Sequence, residues 1–296
     1  MAVLASLLAG GSIVIPEKFH RSMFWQHVAE YQVSWINGVP SILSLMAHDE
    51  QGPDRDELRE IRLVRSASMA LPVVTKKRWQ ERWGLTITET YGLSEAASQV
   101  TANPLPPSEN PEGSAGQAMG LQLRVVDGQG RILSCGTVGA VEIQGDPVIN
   151  PKWGPNQWAV EKMHEGWYRT GDLGYLDEQG FLFLKGRSRE VINRGGEKVF
   201  PREIEEVVLQ LDDVQECAVV GAPHPILGEE VVLFVVGRDT AGDDMVIKVL
   251  AHAKNMLASY KVPARVLVVS SLPTGPTGKL ARRRLQDVLS ATDSAS

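Results

Sequence analysis

Within the first hundred residues, apolar segments alternate between strand length and helical spacing. That alternation restricts the fold more than any other feature of the chain. Phe24, His27, Val28 and Tyr31 recur at helical spacing, and the short apolar run Val33 to Ile36 behind them predicts a buried strand. Pro40 to Met46 opens a second helix, Ile61 to Val64 reads as a strand, Pro72 to Arg82 as a helix and Leu85 to Thr88 as a strand. At the start, a short helix, the break at Gly10-Gly11 and the run Ser12 to Ile15 predict one more helix and one more buried strand. Strand–helix–strand repetition implies a mostly parallel sheet covered by helices, with ligands at the carboxyl ends of the strands.

The pattern changes after Val100. Residues Asn103 to Gly120 are rich in Pro, Gly and Ser and predict a loop. From Leu121 to Leu184 the chain reads as short strands and turns: Gln122 to Val126, the turn Asp127-Gly128, Val138 to Gln144, the turn Asp177 to Gly180 and Phe181 to Leu184. A third unit begins near Gly186. Pro201 suits a first helical position, Glu203, Glu205 and Glu206 fill the first turns, and Ile204, Val207, Val208 and Leu211 form an apolar stripe. Strands at Cys217 to Val220, Val231 to Val236 and Val266 to Val269 surround a helix capped by Asp243 or Asp244, and Leu280 to Leu289 is a final helix.

The expected fold is therefore α/β in class. A helix-covered parallel sheet (1–100) and a β-rich, barrel-like section (101–186) make a large domain, and 187–296 make a small α+β domain.

Composition narrows the function. Lys+Arg number 30 against 36 Asp+Glu, a net charge of −6, which argues against a general nucleic-acid binder. Two cysteines, Cys135 and Cys217, exclude a disulfide scaffold and a Cys-rich metal site, and the six histidines form no HxH or HxxxH pair. No apolar run reaches membrane-spanning length. The uncharged start, Met1 to Ile15, lacks a basic region and is split by glycines, so it does not read as a signal peptide. A soluble, cytoplasmic protein is expected.

Four polar, Gly-rich segments carry the chemistry. Thr90-Tyr91-Gly92-Leu93-Ser94-Glu95 follows a strand. A strand–turn–helix junction there would present backbone N–H groups to phosphate, Ser94 a hydroxyl, Glu95 an oxygen ligand for Mg²⁺, and Tyr91 a flat face for a base. An ordinary turn with a capping Ser explains the same residues. In Tyr168-Arg169-Thr170-Gly171-Asp172, a carboxylate in a tight Gly turn suits ribose hydroxyls, although Asp is common in turns. Gly186-Arg187-Ser188-Arg189-Glu190, then Asn193-Arg194-Gly195-Gly196-Glu197-Lys198, allows close backbone approach to a ligand or simply a flexible linker. Pro273-Thr274-Gly275-Pro276-Thr277-Gly278-Lys279 holds a Lys able to reach a phosphate or carboxylate, or is a surface turn; its spacing is not that of a Walker loop.

Taken together, YGLSE, YRTGD, GRSRE with NRGGEKVFPREIE, and LPTGPTGK resemble in order and spacing the adenylate-forming superfamily. Gly196 to Glu205, KVPARV and LPTGPTGK are most similar to acyl-CoA synthetases of the fatty-acid and oxalate type. The resemblance implies an acid–CoA ligase that uses ATP, Mg²⁺ and CoA and joins a carboxylic acid to AMP before thioester formation. It implies that Glu95 holds Mg²⁺, Ser94 touches phosphate, and Tyr91 and Gly92 face adenine opposite Ser68 and Met69. Asp172 would hold the ribose with Arg187 beside it, and Lys279 would bridge the carboxylate and the α-phosphate. Arg189 would be the pivot of a mobile C-terminal domain that brings Gly195 and Gly196 to the pantetheine channel.

The match is incomplete. The family carries, upstream of these segments, a Ser/Thr/Gly-rich phosphate loop ending in Lys, and this sequence has none. The adenine-side run is Ala67-Ser68-Met69-Ala70 where Gly-Ser-Ala-Pro is usual, and Arg189 replaces the usual Asp or Lys. Two further readings follow from the missing loop and the motifs: a non-catalytic AMP- or CoA-binding remnant or subunit, working with a chain that supplies the loop, and a peptide-synthetase-type adenylation domain. The acid itself is not legible, with Trp35, Asn37 and Gly38 as pocket candidates.

Overall fold

The computed structural model describes the chain apart from residues 1, 50, 106–109, 151–160, 239–241, 243, 276–279 and 294–296. Contacts divide it into two compact units, 1–170 with 174–184, and 171–173 with 185–296.

In the first unit, three parallel strands, β1 (Trp35–Gly38), β2 (Leu63–Ser66) and β3 (Ile87–Tyr91), lie side by side in that order. Helices α1 (Ala2–Leu8), α2 (Arg21–Glu30), α3 (Pro40–Ala47) and α4 (Val73–Trp83) accompany them. One face of the sheet carries Ile36, Val64 and Ile87, which join Leu43, Met46, Trp79 and Trp83 in one buried cluster. Trp79 and Trp83 meet edge-on with centroids 4.8 Å apart, and the Trp79 indole N–H donates to the Leu43 carbonyl at 2.8 Å, so the large rings are buried without an orphaned polar atom. Pro40 opens α3 where its missing N–H costs nothing, and Gly84, at φ 68°, closes α4.

Ser12 to Ile15 is no strand. No strand pairs with it among the described residues, and Val14 and Ile15 are exposed. A four-residue apolar run needs a paired neighbour to become a strand, and no local pattern supplies one. The segment read as loop also differs: β4 (Thr101–Ala102) and β5 (Gln117–Ala118) extend the sheet antiparallel beyond β3. Gly116, at φ 94°, lies so close to Ala102 that an added Cβ would stand 1.9 Å from its carbonyl carbon. The glycine here permits close pairing between strands.

A second sheet is built from β6 (Gln122–Val126), β7 (Gly139–Gln144), β8 (Met163–His164), β9 (Trp167–Leu176) and β10 (Leu182–Arg187). Its order is β10-β9-β7-β6, with β8 against β9. Two turns repeat one device. The Asp127 carboxylate accepts from the N–H groups of Gln129 and Arg131, and Asp177 accepts from those of Gln179 and Phe181. Gly130 and Gly180, both at φ 81°, complete these turns.

In the second unit, β11 (Ile192–Arg194), β12 (Glu197–Val199), β13 (Val214–His224), β14 (Gly228–Gly237) and β15 (Arg265–Val268) form one sheet with α5 (Pro201–Val208), α6 (Met245–Met256) and α7 (Arg282–Asp293). Val231 to Val236 reads as an unbroken apolar run because β14 is covered on both sides. Val231, Leu233 and Val235 pack with α5 and α6, while Val232 and Phe234 pack with Leu285 and Leu289 of α7. Asp244 occupies the position before α6 without a capping side-chain bond, and Asp243 lies outside the described residues. Among the described residues no helix is long and apolar enough to cross a membrane.

Candidate active site

The carboxyl ends of β1, β2 and β3 carry the first group of site residues. β3 runs directly into Tyr91-Gly92-Leu93-Ser94-Glu95, but no α-helix follows. Ser94–Ala96 is a single 3₁₀ turn, Ala97 and Ser98 take φ of 49° and 86°, and the chain returns at once to β4. The expected helix N-terminus for phosphate is therefore absent. Two left-handed residues and the Ser98 N–H to Leu93 carbonyl bond close the loop before a helix can propagate.

Gly92 makes the closure possible. An added Cβ would stand 1.6 Å from the Ser98 carbonyl oxygen, so only glycine fits. Val100 N–H donates to the Tyr91 carbonyl at 2.9 Å, tying both ends of the loop. Tyr91 packs against a cluster that includes Ala96, Val100, Ile143 and Tyr168. Ser94 is exposed and Glu95 half-buried. The Glu95 carbonyl accepts from Ile149 N–H, while its carboxylate makes no hydrogen bond or ion pair among the described residues.

The segment holding Ser68 and Met69 is fastened beside this loop by a residue the sequence reading passed over. Glu89, on the same face of β3 as the core residue Ile87, is buried, and its carboxylate accepts the Leu71 N–H at 3.2 Å. Asn103 donates to the Glu89 carbonyl and to that of Ser114. A signal was available: a carboxylate two residues after a core residue in a strand points inward, and a buried charge must be partnered. Ser68 sits at φ 84°, a costly conformation for a residue with a side chain. Both Ser68 and Met69 are exposed.

The second group lies in the other unit. Asp172 does not occupy a turn; it stands within the ten-residue strand β9, where alternation buries Tyr168, Thr170 and Asp172. The strand continues through Gly171 because glycine accepts φ 82°. Asp172 is buried and pairs with the Arg187 guanidinium at 3.1 Å. Arg189 is exposed in the 3₁₀ turn Ser188–Glu190. Gly195 and Gly196, at φ 60° and 92°, are the two central residues of a tight hairpin in which Arg194 faces Glu197. Two positive φ values define the turn that matches strand twist, so this pair is a hairpin and not a flexible linker. Lys279 lies outside the described residues. Its neighbours are anchored: Thr274 bridges Leu280, and Ala281 N–H donates to the Pro273 carbonyl.

The first unit thus carries a β3 loop closed on Gly92, and the second a buried Asp172 paired with Arg187 and a glycine hairpin ahead of an α+β sheet. Residues 1–150 match the AMP-binding enzyme family and residues 203–279 match the AMP-binding enzyme C-terminal domain. The chain belongs to the AMP-binding enzyme family. It is 38% identical over 287 residues to the sulfoacetate–CoA ligase of Cupriavidus necator, covering 96% of this chain and 55% of that protein. It is 34% identical to the oxalate–CoA ligase of Saccharomyces cerevisiae, covering 95% of this chain and 51% of that one. The chain thus spans about half the length of the curated relatives it matches. Among solved structures, ATP-bound MatB from Rhodopseudomonas palustris superposes with a TM-score of 0.88 at 29% identity, over 97% of this chain and 56% of that one. The o-succinylbenzoate CoA synthetase of Bacillus subtilis, in complex with its acyl-adenylate, gives 0.82 at 27% identity, over 97% and 57%.

Proposed function

We propose that the protein is an AMP-forming acid–CoA ligase, or the larger working part of one. The observation that carries this reading is that both the AMP-binding and the C-terminal matches fall on one chain, in order, around the Asp172–Arg187 pair. The named relatives are CoA ligases of small acids.

In this reading a carboxylate attacks the α-phosphate of ATP, pyrophosphate leaves, and the acyl group then passes to the CoA thiol. The protein's work is positioning and charge stabilisation. Asp172, paired with Arg187, accepts both ribose hydroxyls. Tyr91 lies against the adenine with Ser68 and Met69 on its far side, and Ser94 donates to phosphate. Glu95 suits Mg²⁺, because its carboxylate makes no hydrogen bond or ion pair among the described residues and this ion takes one or two carboxylates along with phosphate and water oxygens. An ion held there would neutralise phosphate charge. Lys279 bridges the two reacting groups. Arg189 is the pivot about which 187–296 turns between half-reactions, bringing Gly195 and Gly196 to the pantetheine. The grip on the β- and γ-phosphates falls to a further segment or chain, because the sequence holds no Ser/Thr/Gly-rich loop ending in Lys upstream of Thr90.

The test is turnover by the full-length protein with ATP, Mg²⁺, CoA and a panel of carboxylic acids, reading AMP, pyrophosphate and acyl-CoA. Acid-dependent formation of all three supports the reading. Nucleotide binding without AMP release from any acid would assign the chain to binding alone. Lys279→Ala is expected to abolish adenylate formation while sparing thioester formation from preformed acyl-adenylate, and equal loss in both steps removes its assigned role.

A further inference from the structure

Asn37, Arg65 and Thr90 are the penultimate residues of β1, the second-last of β2 and the second-last of β3, and they share one face of the sheet. Arg65 donates from Nε to Thr90 Oγ1 at 3.1 Å and from a terminal nitrogen to Asn37 Oδ1 at 3.1 Å. Both acceptors are neutral. No carboxylate pairs with this guanidinium among the described residues. That sets it apart from Arg124, Arg187 and Arg282, which meet Glu142, Asp172 and Glu205. Burial pulls the Arg65 pKa down, the mark of a cation taken from water with no anion in return.

The placement is that of a ligand site. In open sheets of this kind, ligands bind outside the carboxyl ends of the strands. Arg65 stands one residue before the segment 66–71 that Glu89 fastens, and its partner Thr90 directly precedes Tyr91. A guanidinium has five N–H donors, and the two bonds to Asn37 and Thr90 leave three. They also fix its plane, so the free edge is ready for a bidentate partner such as carboxylate or sulfonate.

We propose that Arg65, held by Asn37 and Thr90, receives the second anionic group of a short dianionic acid whose other carboxylate is activated. This rests on the ligase reading above. Specificity then has two parts: a dianion neutralises the guanidinium, and a monocarboxylic acid with an apolar tail buries it unpaired.

The experiment compares kcat/KM for acyl-CoA formation by the full-length protein with oxalate, malonate and sulfoacetate against acetate, propionate and butyrate. Wild type is expected to prefer the dianions. Arg65→Met should lower kcat/KM for dianions about 10- to 100-fold, the range for a lost hydrogen bond to a charged group, and leave monocarboxylates unchanged or improved. Arg65→Lys retains charge without the fork and should fall between; it serves if Arg65→Met does not fold. If no acid yields AMP, the ligase reading fails and takes the proposal with it. If acids are activated but a monocarboxylate matches the dicarboxylate of equal length in the wild type, the ligase reading stands and the role of Arg65 is overturned. Equal loss for both classes in the folded Arg65→Met or Arg65→Lys protein overturns it too.

Discussion

Arg282 and Glu205, 77 residues apart in the chain, form a two-pronged ion pair in which NH1 donates to Oε1 at 2.5 Å and NH2 to Oε2 at 2.9 Å. Both side chains are largely buried, at 20% and 13% exposure. The same guanidinium donates to the Val219 carbonyl and pairs with Glu190, the residue after Arg189. Burial works against the Arg282 cation, but Glu205 overcomes it and raises the pKa. The first residue of α7 is thus fastened to α5, to β13 and to the 3₁₀ turn that holds Arg189.

Removing one partner should cost more than removing both. Arg282→Met leaves Glu205 buried without its cation, an expected loss of about 3–5 kcal/mol. The double variant Arg282→Met/Glu205→Met should lose clearly less than the sum of the two single changes. Denaturant unfolding of the four proteins measures this, and additive losses would dismiss the coupling.

Gly92→Ala tests the closed loop after β3. The new methyl would stand 1.6 Å from the Ser98 carbonyl oxygen, and that obstacle is backbone, so the loop must open. A loss of about 1–3 kcal/mol is expected from forced repacking, with the Tyr91 environment altered. Gly196→Ala is the control for space, since nothing lies within 4 Å of its added Cβ and only the φ of 92° opposes it. Thermal unfolding of both compares obstruction with backbone strain alone.

Glu142 is a buried carboxylate at 0% exposure, held by Arg124 at 2.7 Å and Arg169 at 3.2 Å. Arg124 also lies over the Trp167 ring at 4.2 Å. Glu142→Gln keeps the shape and removes the charge, leaving two cations facing a neutral amide. A loss near 3 kcal/mol is expected from the uncompensated Arg124, with little from the half-exposed Arg169. Glu142→Gln combined with Arg124→Met should recover part of it in the same unfolding assay.

The two thiols should differ sharply in reactivity. Cys135 is exposed, whereas Cys217 is partly buried and donates from Sγ to the Glu205 carbonyl. Burial pushes the Cys217 pKa well up, and the Glu205 carboxylate adds to that. Because the thiolate is the reacting form and this shift is upward, raising pH from 7 to 8.5 should not bring Cys217 into reaction. A thiol reagent should modify Cys135 promptly and Cys217 only on unfolding. Prompt modification of both in the folded protein would contradict the placement of Cys217.

Local pattern told most where one residue type has one local use. Pro40 and Pro201 start helices, and Asp127 and Asp177 start turns, because the fixed φ of Pro and the side-chain reach of Asp act within a few residues. Ser12 to Ile15 misled because an apolar run becomes a strand only beside a partner. Gly195-Gly196 left a ligand approach and a flexible linker both open, because the strands that make it a hairpin are three residues each. Thr90 to Glu95 marked the loop at the carboxyl end of β3, yet the absence of a following helix came from the contact between Gly92 and Ser98.

By itself, the amino-acid sequence determined the class of fold, most of its helices and longer strands, and the Gly-rich motifs at the strand ends, since periodicity and turn chemistry are local. Tertiary structure alone decided which charges are matched. Arg65 opposite Asn37 and Thr90, Glu89 beneath Leu71, Arg282 on Glu205 and Glu142 between two arginines join residues 18 to 77 positions apart. Charge pairing acts through space over a few ångströms and carries no period along the chain, so only the folded arrangement shows that Arg65, unlike Arg124, Arg187 and Arg282, meets no carboxylate among the described residues.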